Sequence, residues 1–169
     1  SYHEDVLQAI IESYGYTAKK VEEAVALGYE GLVDNQLTGV SISMGAGMCN
    51  IAVMYQGMTA LSFAVSRGGD WIDNNVSVDT GVPIAKVTNI KESSKQFEGA
   101  ANVPNFPEPV PIIIGGGTCL VKGFIDVFNE QFDPDTFPLQ VSEITLIEDA
   151  HTAVSRGCLS EAQLIEDET

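Results

Sequence analysis

Hydrophobic positions along this 169-residue chain switch between two periods, and the switches mark out its elements. Apolar residues from Val6 to Tyr14 recur at helical spacing, and Gly15 ends the run. Thr17 to Glu23 reads as a short strand and Ala24 to Val33 as a helix. Three strand-like runs follow, Gly39 to Met44, Met48 to Tyr55 and Met58 to Ser66. Glycine-bearing turns separate them, which predicts an antiparallel meander. Gly68 to Asp73 opens a helix with Asp70 beside its first-turn amides, and a second helix runs from Pro83 or Ile84 to Ser94. The stretch 97–111 changes to Gly, Ala, Asn and proline, which suit neither a regular helix nor a central strand, so it reads as a Pro-rich linker. Then come a buried strand from Val110 to Ile114, a turn at Gly115 to Thr118 and an amphipathic helix from Cys119 to Phe132. A strand from Leu139 to Ile147, a helix from Asp149 to Gln163 and an acidic tail complete the chain. Such an order predicts an α/β fold, a mixed sheet with helices on its faces. Val40 to Met44 and Ile112 to Ile114 both lead from apolar runs into glycine turns, and are expected on interior strands.

Composition narrows the partners. With 44% hydrophobic residues and a mean hydropathy of +0.09, the chain can bury one substantial core. A net charge of −16 lacks the basic face that a phosphate-backbone binder needs, so nucleic acid is not expected as a partner. No apolar run approaches the ~20 residues of a membrane span, and the first residues do not have the form of a signal peptide, so a cytoplasmic protein is expected. Cys49, Cys119 and Cys158 each lie in an apolar stretch and are expected as reduced, buried residues. His3 and His151 have no clustered partners, and no metal-ligating set is expected.

Candidate chemistry centres on Ser43-Met-Gly-Ala-Gly-Met48, where glycines make a tight turn between two apolar strands. A glycine turn lets backbone N–H groups approach a ligand closely and cradle phosphate; it also serves as a plain hairpin turn. A second glycine turn, Gly115-Gly-Gly-Thr118, follows a strand and precedes a helix. It suits either close strand–helix packing or a flat ligand laid on bare backbone.

The order of elements together with five motifs resembles the second, C-terminal domain of the actin, sugar-kinase and heat-shock-chaperone ATPase superfamily, and most closely its bacterial and archaeal actin-like proteins. Ser43-Met-Gly-Ala-Gly-Met48 occupies the place of that family's Asp-x-Gly-x-Gly-Thr phosphate loop. Gly68-Gly-Asp-Trp-Ile-Asp73 is similar to its Gly-Gly-Asp-x-Phe-Asp helix start, and Asn89-Ile-Lys-Glu92 to its adenosine-contacting helix. Ile112 to Gly123 is similar to its adenosine loop, and Asp149 to Gly157 to its closing helix. The resemblance implies a ribonuclease-H-like mixed sheet forming one actin-like ATPase domain over 1–169, with 71–110 as the remnant of an abbreviated small subdomain. It implies ATP or ADP with Mg²⁺ as ligands. Gly45, Ala46, Gly47 and Met48 are then expected at the phosphates, and Gly69, Asp70, Lys91, Glu92, Gly115, Gly116, Gly117 and Thr118 around the nucleoside.

Two positions depart from the family pattern. Ser43 stands where the family has the carboxylate that orders the metal's water shell, and Met48 replaces a hydroxyl. Loss of that charge is expected to cost hydrolysis more than binding, and it leaves the catalytic residue unassigned. The resemblance also implies that a first domain, with the other wall of the cleft, lies outside this chain. The function expected is the nucleotide-binding half of an actin-like protein, changing conformation with nucleotide, with filament self-assembly and weak ATPase activity of the full-length protein left open. The alternative is a degenerate, non-hydrolysing scaffold for protein partners.

Overall fold

Strand β1, Gly39–Met44, lies at the centre of a five-stranded sheet in a computed structural model that describes residues 2–91 and 106–167. Antiparallel β2, Cys49–Tyr55, flanks it on one side, with β3, Met58–Val65, beyond. On its other side, β4, Val110–Gly115, runs parallel to it and β5, Val141–Leu146, parallel to β4. The strand order is β3-β2-β1-β4-β5, so the meander and both interior strands form as the sequence predicts.

Alternation along β1 divides the core in two. Val40, Ile42 and Met44 point into one cluster with Val53, Ile112, Ile114 and Phe124. That cluster is closed by α5, Phe124–Gln131. The opposite face carries Ala52, Met54 and Ile113 against α2, Glu23–Gly31, and α6, Ala150–Asp167. Ser41 and Ser43 lie on this second face and are fully buried. A buried hydroxyl is costly unless bonded, and both are bonded to α2: Ser41 Oγ donates to the Ala24 carbonyl at 2.6 Å and Ser43 Oγ to the Glu23 carboxylate at 2.6 Å.

Small residues set how closely α2 packs. A Cβ on Gly157 of α6 would stand 1.7 Å from the Ala26 carbonyl oxygen, and one on Gly28 would stand 2.1 Å from Met54 Sδ. The glycine of the closing-helix motif is therefore a helix-crossing residue. An ion pair between Arg156 and Glu30 adds a polar tie across the same crossing.

Several expectations change. Residues 16–22 form no strand, although their pattern suggests one; a strand needs a neighbour, and this segment is held instead by side chains. Lys19 Nζ meets Glu161 at 2.7 Å, and Lys20 Nζ meets Glu4 at 2.9 Å. Helix α1, Tyr2–Ser13, buries no residue, leaving Val6, Leu7, Ile10 and Ile11 exposed. The helix expected from Cys119 to Phe132 splits into a 3₁₀ turn, Gly117–Leu120, and α5, because Gly123 takes a left-handed conformation (φ 83°) between them. Cys158 is exposed, whereas Cys49 and Cys119 are buried as expected. Trp71 is 41% exposed and lies under the Arg67 guanidinium, 5.0 Å from the ring centre. Among the described residues, no helix is long and apolar enough to cross a membrane.

Replacing Gly157 with alanine should force α6 off α2, an overpacking that costs about 1–3 kcal/mol or more. Denaturant unfolding of Gly157→Ala should show a midpoint well below that of the wild type, and an unchanged midpoint would contradict the crossing.

Candidate functional site

Parallel pairing of β1 with β4 brings the two glycine turns together. Ser43 is paired with Gly115, so both strands end side by side and release their turns at the same edge of the sheet. Open α/β sheets bind ligands at that edge, beyond the carboxyl ends of parallel strands.

The first turn, 45–48, is closed by the Gly45 amide donating to the Met48 carbonyl at 3.0 Å. Its carbonyls face the start of α3, Gly69–Thr80: the Gly69 amide donates to Gly45 O at 3.0 Å and the Asp70 amide to Ala46 O at 2.8 Å. Gly68 lies so close that a Cβ there would be 2.4 Å from Ala46 O and 2.6 Å from Met48 N. The Gly-Gly-Asp motif thus grips the turn by backbone contacts, with Gly68 as helix cap and no side-chain cap bond, where the sequence suggests an aspartate interacting with first-turn amides. Occupied carbonyls leave amides without a described partner. The amides of Ala46, Gly47 and Met48 donate to no described residue, and all three residues are exposed.

The second turn locks onto the first. Gly116 has φ 96°, and a Cβ on it would meet the Met44 backbone at 2.7–2.9 Å, while Thr118 Oγ1 donates to Gly45 O at 3.1 Å. Gly116 is therefore required by the fold itself. Gly117 is exposed, and a Cβ on it would meet nothing within 4 Å. The amides of Gly117 and Thr118 donate to no described residue. Of the two, only Gly117 leaves open space beside its backbone.

A third component escaped the sequence reading. Glu23 opens α2, and its carboxylate accepts from Ser43 Oγ at 2.6 Å and from Asn50 Nδ2 at 3.2 Å. Its neighbour Glu22 accepts a hydrogen bond from Ser62 Oγ. A carboxylate thus stands beside Ser43 after all, supplied by the helix and not the strand. The available signal was the alternation of Ser41 and Ser43, which turns both hydroxyls toward whatever helix covers that face.

The remaining candidates are less assembled. Helix α4, Ile84–Lys91, packs on α3, and Thr88 Oγ1 donates to the buried Asp73 carboxylate at 2.7 Å. The Lys91 side chain and all of Glu92 lie outside the described residues, as does most of the 97–111 stretch. Burial pushes the Cys49 thiol up to about 11, which removes it as a nucleophile near the turn. Among the described residues, no cluster of three or more His, Cys, Asp or Glu side chains is placed to hold a metal. Mg²⁺ ordinarily binds through one or two carboxylates together with phosphates, so the oxygen donors around Glu23 fit such an ion in company with a nucleotide. Two open hollows, about 620 and 530 Å³, are lined respectively by Tyr29, Leu37 and Leu164 and by Glu30, Ile147 and Arg156, and neither touches the glycine turns. The turns present an open face.

The family model described as Volactin matches residues 1–104 and 95–162. No curated protein matches the chain. Among solved structures, MreB5 of Spiroplasma citri bound to ADP aligns with a TM-score of 0.67 at 14% identity, covering 98% of this chain and 66% of that one. The non-polymerising MamK mutant bound to AMPPNP gives 0.58 at 17%, covering 86% and 60%. The ethanolamine utilization protein EutJ from Carboxydothermus hydrogenoformans gives 0.53 at 16%, covering 81% and 53%. This chain therefore spans between about half and two thirds of their lengths. These proteins are actin-like ATPases, and the likeness establishes the actin-like ATPase fold.

Gly116→Val should destabilise strongly, because left-handed strain and overlap with the Met44 backbone add together, at about 1–3 kcal/mol each. Gly117→Val should unfold within about 0.5 kcal/mol of the wild type. Equal losses for the two variants would contradict this division of roles.

Proposed function

The chain belongs to the Volactin family, and we propose that it forms the nucleotide-binding half of an actin-like protein, taking ATP or ADP with Mg²⁺ against its paired glycine turns. The observation that carries this reading is the set of unused amides at a single edge of the sheet: Ala46, Gly47 and Met48 on one turn, Gly117 and Thr118 on the other, which donate to no described residue. Backbone donors of this kind bind phosphate without any side-chain charge, which suits a chain of net charge −16. MreB5 and MamK, of the same fold, have been crystallised with ADP and AMPPNP.

In this reading Gly45 to Met48 take the phosphates. Gly117 and Thr118 take the nucleoside side, with Gly115 and Gly116 holding the two turns together. Gly69 and Asp70 fasten the phosphate turn to α3, and Lys91 and Glu92 are assigned to the adenosine by resemblance alone. The stretch 71–110 then acts as a reduced lid. A turn bonded through two amides to α3 transmits a phosphate-dependent shift to α3 and α4, which supports nucleotide-dependent conformational change as the working principle. Filament assembly follows as an extension of the same reading, since the MamK structure is of a non-polymerising mutant. The scaffold alternative drew on the absence of a carboxylate at Ser43, and Glu23 beside that hydroxyl weakens it.

Calorimetric titration of the full-length protein with ADP and Mg²⁺ tests the proposal. Gly117→Val should melt like the wild type and lose at least ~10-fold in affinity, because its side chain fills the space a ligand needs against bare backbone. Wild-type affinity in that variant would place the ligand elsewhere.

A further inference from the structure

The two edges of the sheet are guarded differently. β5, at one edge, carries Glu143 exposed within the strand, and an edge charge of this kind opposes pairing with another chain. β3, at the other edge, has no such device. From Asn35 to Ser66 there is no Asp, Glu, Lys, Arg, His or Pro, in a chain whose net charge is −16. The residues of β3 are exposed or half-buried throughout, with Met58 at 64% and Val65 at 38%. β2 takes up one side of its backbone ladder, and the other side leaves N–H and C=O groups open to a further strand.

Charge selects the occupant. Copies of so acidic a chain repel one another wherever their charged surfaces meet, whereas two β3 edges approach each other with no ionised residue of their own between them. The carboxylate seen to meet the strand is that of Glu22, which accepts a hydrogen bond from Ser62 Oγ on the face toward α2. We propose that β3 is a self-association surface, on which a second copy of this chain adds its own β3 antiparallel about a two-fold axis and makes the two sheets continuous. Pairing uses up both unguarded edges and leaves a Glu143-bearing β5 at each end, so association by this route stops at two copies. Eight residues make a strand only ~27 Å long, so the contact belongs to the small, transient class of interfaces. Nothing in this inference depends on nucleotide binding.

Sedimentation equilibrium of the full-length protein without nucleotide tests it, with melting temperature recorded for every variant. Wild type should pass from monomer to dimer as concentration rises. Raising salt from ~0.1 to ~1 M shortens the screening length from ~10 to ~3 Å and should tighten the dimer at least ~3-fold, because the acidic surfaces around the edge then repel less. Ala60 and Ala64 are exposed on β3, and the double variant Ala60→Glu with Ala64→Glu should melt like the wild type while weakening the dimer at least ~10-fold, through like charges set across the two-fold. Ser142→Glu, on the exposed face of β5, adds charge to the other edge and should leave the dimer unchanged. Glu22→Gln keeps an oxygen for Ser62 and should tighten association about 2-fold or more at low salt. Amide exchange over Met58–Val65 should slow with rising concentration, and that over β5 should not. A wild type that stays monomeric at every concentration and salt overturns the inference. So does a dimer that survives both glutamates on β3, or one that Ser142→Glu weakens equally.

Discussion

One carbonyl group, that of Gly45, joins the three segments on which the candidate site depends. It accepts the Gly69 amide from the start of α3 at 3.0 Å and the Thr118 hydroxyl from the second glycine turn at 3.1 Å, while its own residue leads out of the central strand. Such a junction requires backbones to lie closer than side chains permit. Gly68 against Ala46 and Met48, and Gly116 against Met44, meet that requirement by lacking a Cβ. Because the junction consumes carbonyls, the backbone groups of the turns left without a described partner include the amides of Ala46, Gly47, Met48, Gly117 and Thr118. The free groups of the turns thus follow from how the turns are tied together.

The same constraint ties the turn to two helices. α3 is fastened to the first glycine turn through consecutive backbone bonds and carries α4 by packing and by the Thr88 to Asp73 hydrogen bond. On the opposite side, α2 is packed closely between the sheet and α6 at Gly28 and Gly157.

Electrostatics in so acidic a chain depend on placement more than on total charge. Residues of β1 that face the second core are serines, and each hydroxyl reaches α2. Ser41 bonds a backbone carbonyl and fixes the helix; Ser43 bonds a carboxylate and fixes a charge. Two identical residues, two positions apart, therefore do different things because α2 runs antiparallel to β1 and brings its first residue to the strand's last turn.

Local pattern by itself determined the elements and their class. Apolar runs of strand length at Val40 to Met44 and Ile112 to Ile114 have few stable places other than the interior of a sheet, and glycine turns joining three such runs make a meander. The glycine motifs marked the paired turns for a similar reason, since close backbone approach has one solution in the residue alphabet. What the sequence left undecided were relations between distant segments. Thr17 to Glu23 has a strand's pattern yet no ladder, because pairing depends on a neighbour that local pattern cannot supply. Cys158 and Trp71 are apolar by type and exposed by position. Gly116 and Gly117 are adjacent and chemically identical, and only the proximity of the Met44 backbone makes one structural and leaves the other open. Glu23 reads as an ordinary first-turn helix acid until the packing of α2 on β1 sets it against Ser43. Periodicity acts over a few residues and is written in the chain, whereas a contact between residues twenty apart exists only once helix and sheet have packed.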